Sequence, residues 1–168
     1  MAGLTALRYR RLRCAILVLM RITLASIGAR PSSGDEFDAL TRLYVQRIHP
    51  YVPCEATVAR SEEAFLEWLD RQQGRTPAYA VLLDSRGKQM SSEAFAAWMG
   101  ARRDDGTQHL VFAIGPANGW SEAARKRARL LMSLGPMTLA HALARVVLAE
   151  QVYRACTILA GHPYHSAH

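Results

Sequence analysis

The order of apolar and polar positions predicts a chain of alternating strands and helices from Met20 onward. Four runs rich in apolar and β-branched residues are typical of strands: "RITLASIG", "CEATVAR", "AYAVLLD" and "HLVFAIG". Between and after them, apolar residues recur at intervals of three and four, which predicts four helices. The first is N-capped by Ser33, the second starts near Ser61, the third runs through "SSEAFAAWMGAR" and the fourth starts at Ser121. Strands that alternate with helices predict an α/β fold with an open, mostly parallel sheet and helices on both faces.

A final helix is predicted from about His141 to Leu159, ended by Gly161 as a C-cap and followed by Pro163. This stretch is apolar nearly all round, which is typical of a helix buried on most sides. It nevertheless carries two pairs of polar residues four positions apart, which places each pair on a common face: His141 with Arg145, and Glu150 with Arg154. Such pairs indicate an internal ion pair, a subunit interface or a functional site. The apolar excess favours a homodimer.

Three stretches are expected at the carboxyl ends of the strands, where open parallel sheets bind their ligands: "LLDSRGK", "AIGPANG" and "SLGPMTL". The first is predicted to leave its strand at Asp84 and enter a turn over "SRGK". Asp84 would then hold a ribose hydroxyl or simply cap that turn. The chain contains no G-x-G-x-x-G dinucleotide motif, no P-loop and no G-x-S-x-G nucleophile elbow.

Composition predicts one globular domain, because 168 residues that are 50% hydrophobic can bury one sizeable core. Much of the net charge of +7 lies in the first 19 residues, which we interpret as an extension upstream of a functional start at Met20; a presequence is the alternative. They are too short to span a bilayer, and no membrane association is predicted. The three widely spaced cysteines indicate neither disulfides nor a zinc site and predict a reducing, cytoplasmic location.

The remaining positive charge is densest in "ARKRAR", over residues 124–129, which is either a solvated helix face or a contact for RNA phosphates. The C-terminal "HPYH" offers two imidazoles three positions apart. No carboxylate or thiolate lies near them in sequence as a third ligand, so no metal site is predicted.

Four stretches together resemble the ribosomal large-subunit methyltransferase H family, the pseudouridine N3-methyltransferases of the SPOUT superfamily: "MRITLASIG", "LLDSRGKQMSSEAFA", "FAIGPANGWS" and "MTLAHALARVVLAEQVYRACTILAGHPYH". The resemblance extends from Met20 to His165, and residues 20–168 are assigned to one SPOUT domain. It implies a five-stranded, mostly parallel sheet flanked by helices, with a C-terminal trefoil knot that holds S-adenosylmethionine. It also implies a homodimer with its active site at the subunit interface, acting on large-subunit ribosomal RNA, which we expect to be modified on the assembled ribosome.

The resemblance also implies roles for individual residues. Cofactor contacts, mostly through the backbone, are expected at Leu83, Gly115, Leu134, Gly135, Pro136, Met137, Thr138 and Leu139. Catalytic roles are expected for His165, Tyr164, Glu150, Arg154, Arg145 and His141. His165 or Glu150 would accept the proton from N3, Tyr164 would stack on or orient the base, and the arginines would hold phosphate or an ion-pair network.

Two positions near the cofactor stretches depart from the family pattern. Pro116 stands where a second glycine is usual, and Ala140 stands where a proline usually precedes the motif histidine. At the C-terminus, Ser166 replaces a residue that is often basic. These departures support an alternative reading, a catalytically weakened or inactive RNA-binding paralogue on the same fold.

Overall fold

The computed structural model describes residues 20–72 and 76–166, with only the backbone described at 165 and 166; residues 1–19, predicted to be an extension, lie outside the described part. The strands are β1 (Arg21–Ile27), β2 (Cys54–Ala59), β3 (Tyr79–Gln89), β4 (His109–Ile114) and β5 (Leu130–Ser133). The helices are α1 (Glu36–Ile48), α2 (Glu62–Arg71), α3 (Ser92–Asp104), α4 (Glu122–Arg127) and α5 (His141–Ala160). A short 3₁₀ turn, Pro163–Ser166, follows α5.

The five strands form one parallel sheet in the order β2-β1-β4-β3-β5, which confirms the predicted fold class. β1 and β4 lie inside the sheet, and their registers pair Leu24 with Ala56 on one side and with Phe112 on the other. Such interior strands are covered on both faces, which explains why β4 is buried along its whole length. The trefoil knot implied by the resemblance stays a prediction.

The core has two parts, one on each face of the sheet. On one face α1, α3 and α5 cover the strands, and Phe95, Phe112 and Leu148 are fully or almost fully buried there. On the other face Phe65 of α2 packs against Trp120, which lies just before α4. Helices therefore lie on both faces, as the alternating pattern predicts. No helix in the described part of the chain is long and apolar enough to cross a membrane.

The starts of the helices follow their capping residues. Ser61 and Ser121 accept hydrogen bonds from the third backbone N–H beyond them, at 3.2 and 3.1 Å, which confirms the predicted starts of α2 and α4. The prediction that Ser33 caps α1 is wrong. Asp35 caps this helix, because its carboxylate accepts from the N–H of Asp38 at 2.9 Å.

The stretch "SRGK" is part of β3, and the predicted turn is wrong. β3 runs on to Gln89 with a register shift against β5 between Leu83 and Lys88. Leu83 and Lys88 both pair with Met132, so residues 84–87 between them bulge out of the ladder with β5. Gly87 permits the close approach of the two strands, since a Cβ there would lie 2.5 Å from the backbone nitrogen of Met132.

The last helix, α5, runs for 20 residues and ends at Gly161, which adopts the left-handed conformation of a helix C-cap as predicted. The N–H of His162 donates to the carbonyl of Thr157 at 2.9 Å, so the chain turns sharply out of the helix. α5 packs against α1 and α3, and its midpoint is fully buried at Leu148 and Val152. The helix thus carries polar residues from the carboxyl edge of the sheet to the C-terminal turn.

Candidate functional site

All eight residues that the sequence assigns to cofactor contact line one cavity of about 560 Å³. The cavity lies at the carboxyl ends of β4 and β5, beside Leu83 of β3, at the edge where parallel sheets bind ligands. Its walls are formed by β3 around Leu83, the loop after β4 from Gly115 to Trp120, and the stretch Leu134–Leu139 between β5 and α5. Three segments far apart in sequence therefore meet at one site of ligand size.

Trp120 joins two of these walls. Its indole nitrogen donates a hydrogen bond to the carbonyl of Leu83 at 3.0 Å, and its side chain is only 3% exposed. The ring lies directly against Gly115, where a Cβ would stand 2.9 Å from the ring atoms Cε2 and Nε1. Glycine is therefore required at position 115 by close packing, and this packing sets the spacing between the ends of β3 and β4.

Asp84 follows Leu83 and is held by donors of its own chain. One carboxylate oxygen accepts from the N–H of Arg86 at 2.9 Å and the other from Nε of Arg125 at 2.8 Å. Burial acts to raise the pKa of Asp84, but the Arg86 N–H and the Arg125 guanidinium outweigh it, so the pKa lies below its ordinary value. With both oxygens engaged, Asp84 anchors α4 to β3, which favours the structural reading of this residue over ribose binding.

His141, the first residue of α5, lines the cofactor cavity and also an adjoining open cleft that contains Gly28 and Ser61. Burial is the largest cause that lowers the pKa of His141, followed by the charge of Arg145. Hydrogen bonds with the backbone of Gly115 and Ile27 act to raise it but do not outweigh these two causes. A lowered pKa keeps this imidazole neutral near pH 7, in the state that accepts a proton.

Glu150, Arg154 and Tyr164 form a separate cluster farther along α5. Nη2 of Arg154 donates to Oε1 of Glu150 at 2.5 Å, and the Tyr164 hydroxyl donates to the same oxygen at 3.3 Å. The Arg154 guanidinium stacks over the Tyr164 ring, 5.1 Å from its centroid. None of the three residues lines the cofactor cavity of its own chain. The predicted ion pair on α5 is thus present, and it fixes the C-terminal turn.

Contacts and burial in this cluster raise the pKa values of Arg154 and Tyr164. The hydrogen bond from Arg154 to Glu150 is the largest cause that raises the pKa of Arg154. Burial, together with the Tyr44 side chain and the Glu150 charge, raises the pKa of Tyr164 to about 12. Tyr164 therefore keeps its proton at neutral pH. Glu150 is already engaged by Arg154 and by the Gln151 amide at 2.8 Å, an arrangement unlike that of a free general base.

Arg145 neither lines the cofactor cavity nor takes part in the cluster of Glu150, Arg154 and Tyr164. It is 12% exposed, and its closest acidic atoms are Asp38 Oδ1 at 3.6 Å and Asp35 Oδ2 at 3.8 Å. His165, the other predicted catalytic residue, has its side chain outside the described part of the structure. Among the described residues, no group of three or more His, Cys, Asp or Glu side chains is placed to hold a metal ion.

The basic stretch on α4 is partly neutralised. Arg125 pairs with Asp84, and Arg127 forms an ion pair with Asp70 of α2. Two of its basic residues are therefore used to join α4 to its neighbours, which weakens this stretch as a broad RNA-binding face.

Comparison with known proteins identifies the family. A family model described as "Predicted SPOUT methyltransferase" matches residues 20–165. The chain is 48% identical over 149 residues to the ribosomal RNA large subunit methyltransferase H of Koribacter versatilis, covering 89% of this chain and 100% of the relative. It is 45% identical over 162 residues to the protein of the same name from Xanthobacter autotrophicus, covering 88% and 100%. The chain belongs to the SPOUT methyltransferase family.

Among solved structures, this SPOUT methyltransferase is similar to the SpoU methyltransferase AviRb from Streptomyces viridochromogenes in complex with the cofactor AdoMet. The sequence identity is 16% and the TM-score 0.49, over 89% of this chain and 62% of that one.

The two departures from the family pattern leave the local backbone regular. The carbonyl of Pro116 accepts from the N–H of Gly119 at 2.8 Å, so the loop closes as a turn without the missing N–H. Ala140 stands at the N-cap of α5 and supplies no side-chain cap. Pro116 lines the cofactor cavity, and Ala140 stands between two residues that line it, Leu139 and His141.

Sequence reasoning missed the two residues that hold the cavity together, Trp120 and Arg125. Trp120 lies within the quoted stretch "FAIGPANGWS", but its partner Leu83 is 37 positions away. The sequence places Arg125 in the stretch "ARKRAR", predicted to be a solvated helix face or an RNA contact. In the structure its side chain is only 21% exposed and pairs with Asp84. A single tryptophan directly after a glycine-rich loop is the only signal that could have pointed to the first contact.

Proposed function

We propose that this protein transfers a methyl group from S-adenosylmethionine to N3 of a pseudouridine in large-subunit ribosomal RNA. The observation that carries the proposal is the convergence of the eight assigned cofactor positions on one cavity, in a chain that matches the SPOUT family over residues 20–165. The relatives named above, which this chain matches over their whole length, are ribosomal RNA methyltransferases by name.

The cavity suits S-adenosylmethionine in size and in chemistry. Its volume of about 560 Å³ falls within the range of small-molecule sites. Apolar side chains such as Leu83, Ile114 and Leu139 would surround the adenine, and the backbone of the loops 115–120 and 134–139 offers hydrogen bonds to polar groups. When bound there, S-adenosylmethionine supplies the methyl group and its sulfonium is the leaving group.

N3 of the target base must lose a proton as it is methylated, so the site needs an acceptor. Of the predicted catalytic residues with described side chains, only His141 lines the cofactor cavity, and it is held neutral by burial. We therefore assign the proton acceptor to His141. His165, the acceptor expected from the resemblance, is the second candidate.

Distances along α5 support a composite site formed across a homodimer. Glu150 and Arg154 follow His141 by nine and thirteen residues, which at 1.5 Å per residue is about 14 and 20 Å. Tyr164 is bound to this distant cluster, so it stands apart from the cofactor cavity of its own chain. We propose that the C-terminal turn of each subunit completes the cavity of the other, with Tyr164 orienting the target base.

An exposed apolar face supplies a surface for that homodimer. Phe37 and Leu40 on α1 are 43% and 45% exposed, and Leu143 on α5 is 38% exposed. These two helices pack against each other, and we propose that their exposed apolar residues form the dimer surface. Exposed apolar clusters on a small domain are typical of protein interfaces.

The substrate is proposed to be the assembled ribosome in the cytoplasm. The domain is small, and part of its densest basic stretch is occupied by internal ion pairs. Recognition of a particular nucleotide from protein-free RNA would need a larger surface for base contacts. Activity on protein-free RNA equal to that on ribosomes would contradict this part of the proposal.

The experiment that tests the function measures methyl incorporation into ribosomes isolated from a strain that lacks this modification. The ribosomes are prepared with and without prior pseudouridylation, and the product is identified by mass spectrometry of nucleosides. We expect N3-methylated pseudouridine only in pseudouridylated ribosomes. Incorporation that ignores pseudouridylation would reject the substrate, and the variants His141→Gln and His165→Gln would show which imidazole removes the proton.

A thermal-shift titration with S-adenosylmethionine separates this function from that of an inactive paralogue. A ligand that binds only the native state raises the melting temperature in proportion to its saturation. We expect a concentration-dependent rise, and S-adenosylhomocysteine serves as the matched product ligand. No shift with either ligand would favour the RNA-binding paralogue.

A further inference from the structure

A second cavity, of about 430 Å³, lies at the same carboxyl edge of the sheet between the ends of β1 and β2 and the helices α1 and α5. We name it the Arg145 cavity. Three arginines line it, Arg30 from the loop after β1, Arg42 from α1 and Arg145 from α5, together with one carboxylate, Asp38. The lining is therefore positively charged and suited to an anion.

Arg145 is the unusual residue of this cavity. Its side chain is only 12% exposed, yet no hydrogen bond joins its guanidinium to any described residue. The nearest carboxylate oxygens, on Asp38 and Asp35, lie at 3.6 and 3.8 Å, beyond hydrogen-bond distance, and Nε is buried without a partner. Buried polar groups are nearly always hydrogen bonded, and a guanidinium carries five N–H donors. Among the described residues, Nε of Arg145 thus lacks an acceptor.

The two neighbouring carboxylates do not supply that acceptor. Asp38 is drawn to Arg42, whose Nη2 lies 3.0 Å from its Oδ2, and Asp35 caps α1 through its Oδ1. Their other oxygens, Asp38 Oδ1 and Asp35 Oδ2, form ion pairs with Nη1 and Nη2 of Arg145, which leaves Nε as its unpaired donor. A planar guanidinium binds phosphate or carboxylate through two hydrogen bonds.

The Arg145 cavity adjoins the cofactor cavity. Ile114, the last residue of β4, lines both. Arg145 follows His141 by one turn of α5, about 6 Å along the helix axis. An anionic group bound to Arg145 therefore lies next to the place where the target base meets the methyl donor, and in an RNA substrate that group is a phosphate.

We propose that Arg145 and Arg30 bind a backbone phosphate of the RNA beside the nucleotide being methylated. The proposal rests on the proposed function, since it names the substrate contact of that same site. Arg145 orients the target by fixing its phosphate, and Arg30, at the mouth of the cavity, adds a second positive charge. Asp35 and Asp38 keep the guanidinium in place when the cavity is empty of phosphate.

The first test measures binding of uridine 5′-monophosphate and of uridine to the full-length protein by isothermal titration calorimetry. The wild type is expected to bind the monophosphate at least about tenfold more tightly than uridine, the size of effect expected for charge-assisted hydrogen bonds, with inorganic phosphate as competitor. Arg145→Gln should abolish this preference, Arg145→Lys should retain part of it, and Arg30→Gln should reduce it. Arg71→Gln, an exposed change of the same kind on α2, is the control.

The second test is steady-state methylation of ribosomes by the same variants. Arg145→Gln is expected to raise KM for ribosomes by about tenfold, while the dissociation constant for S-adenosylmethionine stays at the wild-type value. An Arg145→Gln enzyme with unchanged phosphate preference and unchanged KM would overturn the proposal, as would a wild type that shows no phosphate preference. A wild type that prefers the monophosphate but methylates no ribosomes would reject the proposed function and leave the phosphate site standing.

Discussion

The indole of Trp120 donates its N–H to the carbonyl of Leu83 at 3.0 Å and so ties the loop after β4 to β3. The same ring lies against Gly115, so one side chain fixes two of the three segments that surround the cofactor cavity. The spacing of these segments therefore depends on a contact between residues that are otherwise unrelated in sequence.

Trp120→Phe should weaken cofactor binding, because it removes the hydrogen bond that joins two walls of the cavity. Phenylalanine retains most of the buried ring but cannot donate to Leu83, which costs about 1 kcal/mol for a neutral hydrogen bond. We expect the affinity for S-adenosylmethionine to fall about fivefold, measured by calorimetry. Trp98→Phe, the same change on α3 away from the cavity, is the control and should leave the affinity unchanged.

Gly115→Ala should displace Trp120, because the new Cβ would lie 2.9 Å from the ring. Overpacking of this kind costs about 1–3 kcal/mol, and the movement opens the cofactor cavity. The expected result is at least a tenfold loss of cofactor affinity by calorimetry. Gly100→Ala, in the middle of α3, faces only the flexible end of Leu159 and should retain wild-type affinity. Equal affinities for both variants would contradict the role given to Gly115.

The Glu150–Arg154 pair should show measurable coupling in a double-mutant cycle. The two side chains are 17% and 18% exposed and are joined at 2.5 Å, so we expect a coupling of about 1–2 kcal/mol from urea unfolding of Glu150→Gln, Arg154→Met and the double variant. The matched control is the exposed pair Glu67–Arg71, also four residues apart on a helix but separated by 3.9 Å. Its coupling should be close to zero. Similar couplings for both pairs would contradict the partly buried character of the first.

The buried imidazole of His109 should make the fold acid-sensitive. Its Nε2 lies 2.8 Å from the hydroxyl of Thr23, which itself donates to Glu55, so the neutral imidazole is the donor to Thr23. Burial, helped by the charge of Arg21, lowers the pKa of His109 to about 4. The unfolded chain binds this proton near pH 6.5, so stability present above that pH is lost as pH falls from 6.5 towards 4, by up to about 3 kcal/mol.

The measurement is the free energy of unfolding between pH 7 and pH 4 for the wild type and for His109→Gln. The difference between the two proteins should shrink as the pH falls, because the variant has no imidazole to protonate at this position. His49→Gln, at an exposed position, is the control and should follow the wild-type curve. A constant difference between wild type and His109→Gln would contradict the prediction.

Subunit mixing tests whether the site is completed across the dimer. Gly115→Ala damages the cofactor cavity and Tyr164→Ala removes the proposed orienting ring from the C-terminal turn, so each homodimer should have low activity. Co-expressed heterodimers should regain activity, since one composite site would contain neither change. Size-exclusion chromatography with light scattering checks that dimers form. Activity no higher than that of the separate variants would contradict the composite site.

The amino-acid sequence alone predicted the strands and helices wherever the pattern was local and strong. β4 is a continuous apolar run and is predicted as a strand, and the ends of α5 at His141 and Gly161 follow from periodicity and a C-cap glycine. Two local predictions were wrong, the cap at Ser33 and the turn at "SRGK". At the first, Asp35 supplies the cap in place of Ser33. At the second, pairing with β5 continues the strand beyond Asp84.

The positions of the cofactor segments came from the resemblance, and the roles of His165, Tyr164 and Glu150 in catalysis stay predictions. Sequence by itself determined the α/β class, the polar pairs on α5 and the loops that form the carboxyl edge, because these depend on propensities and spacings within a few residues. Only the tertiary structure decided that Trp120 contacts Leu83 and that the Nε of Arg145 is buried without a partner among the described residues. It also decided that Tyr164 joins Glu150, away from His141. Such contacts depend on the order in which the crossovers place the strands, and no local pattern encodes that order.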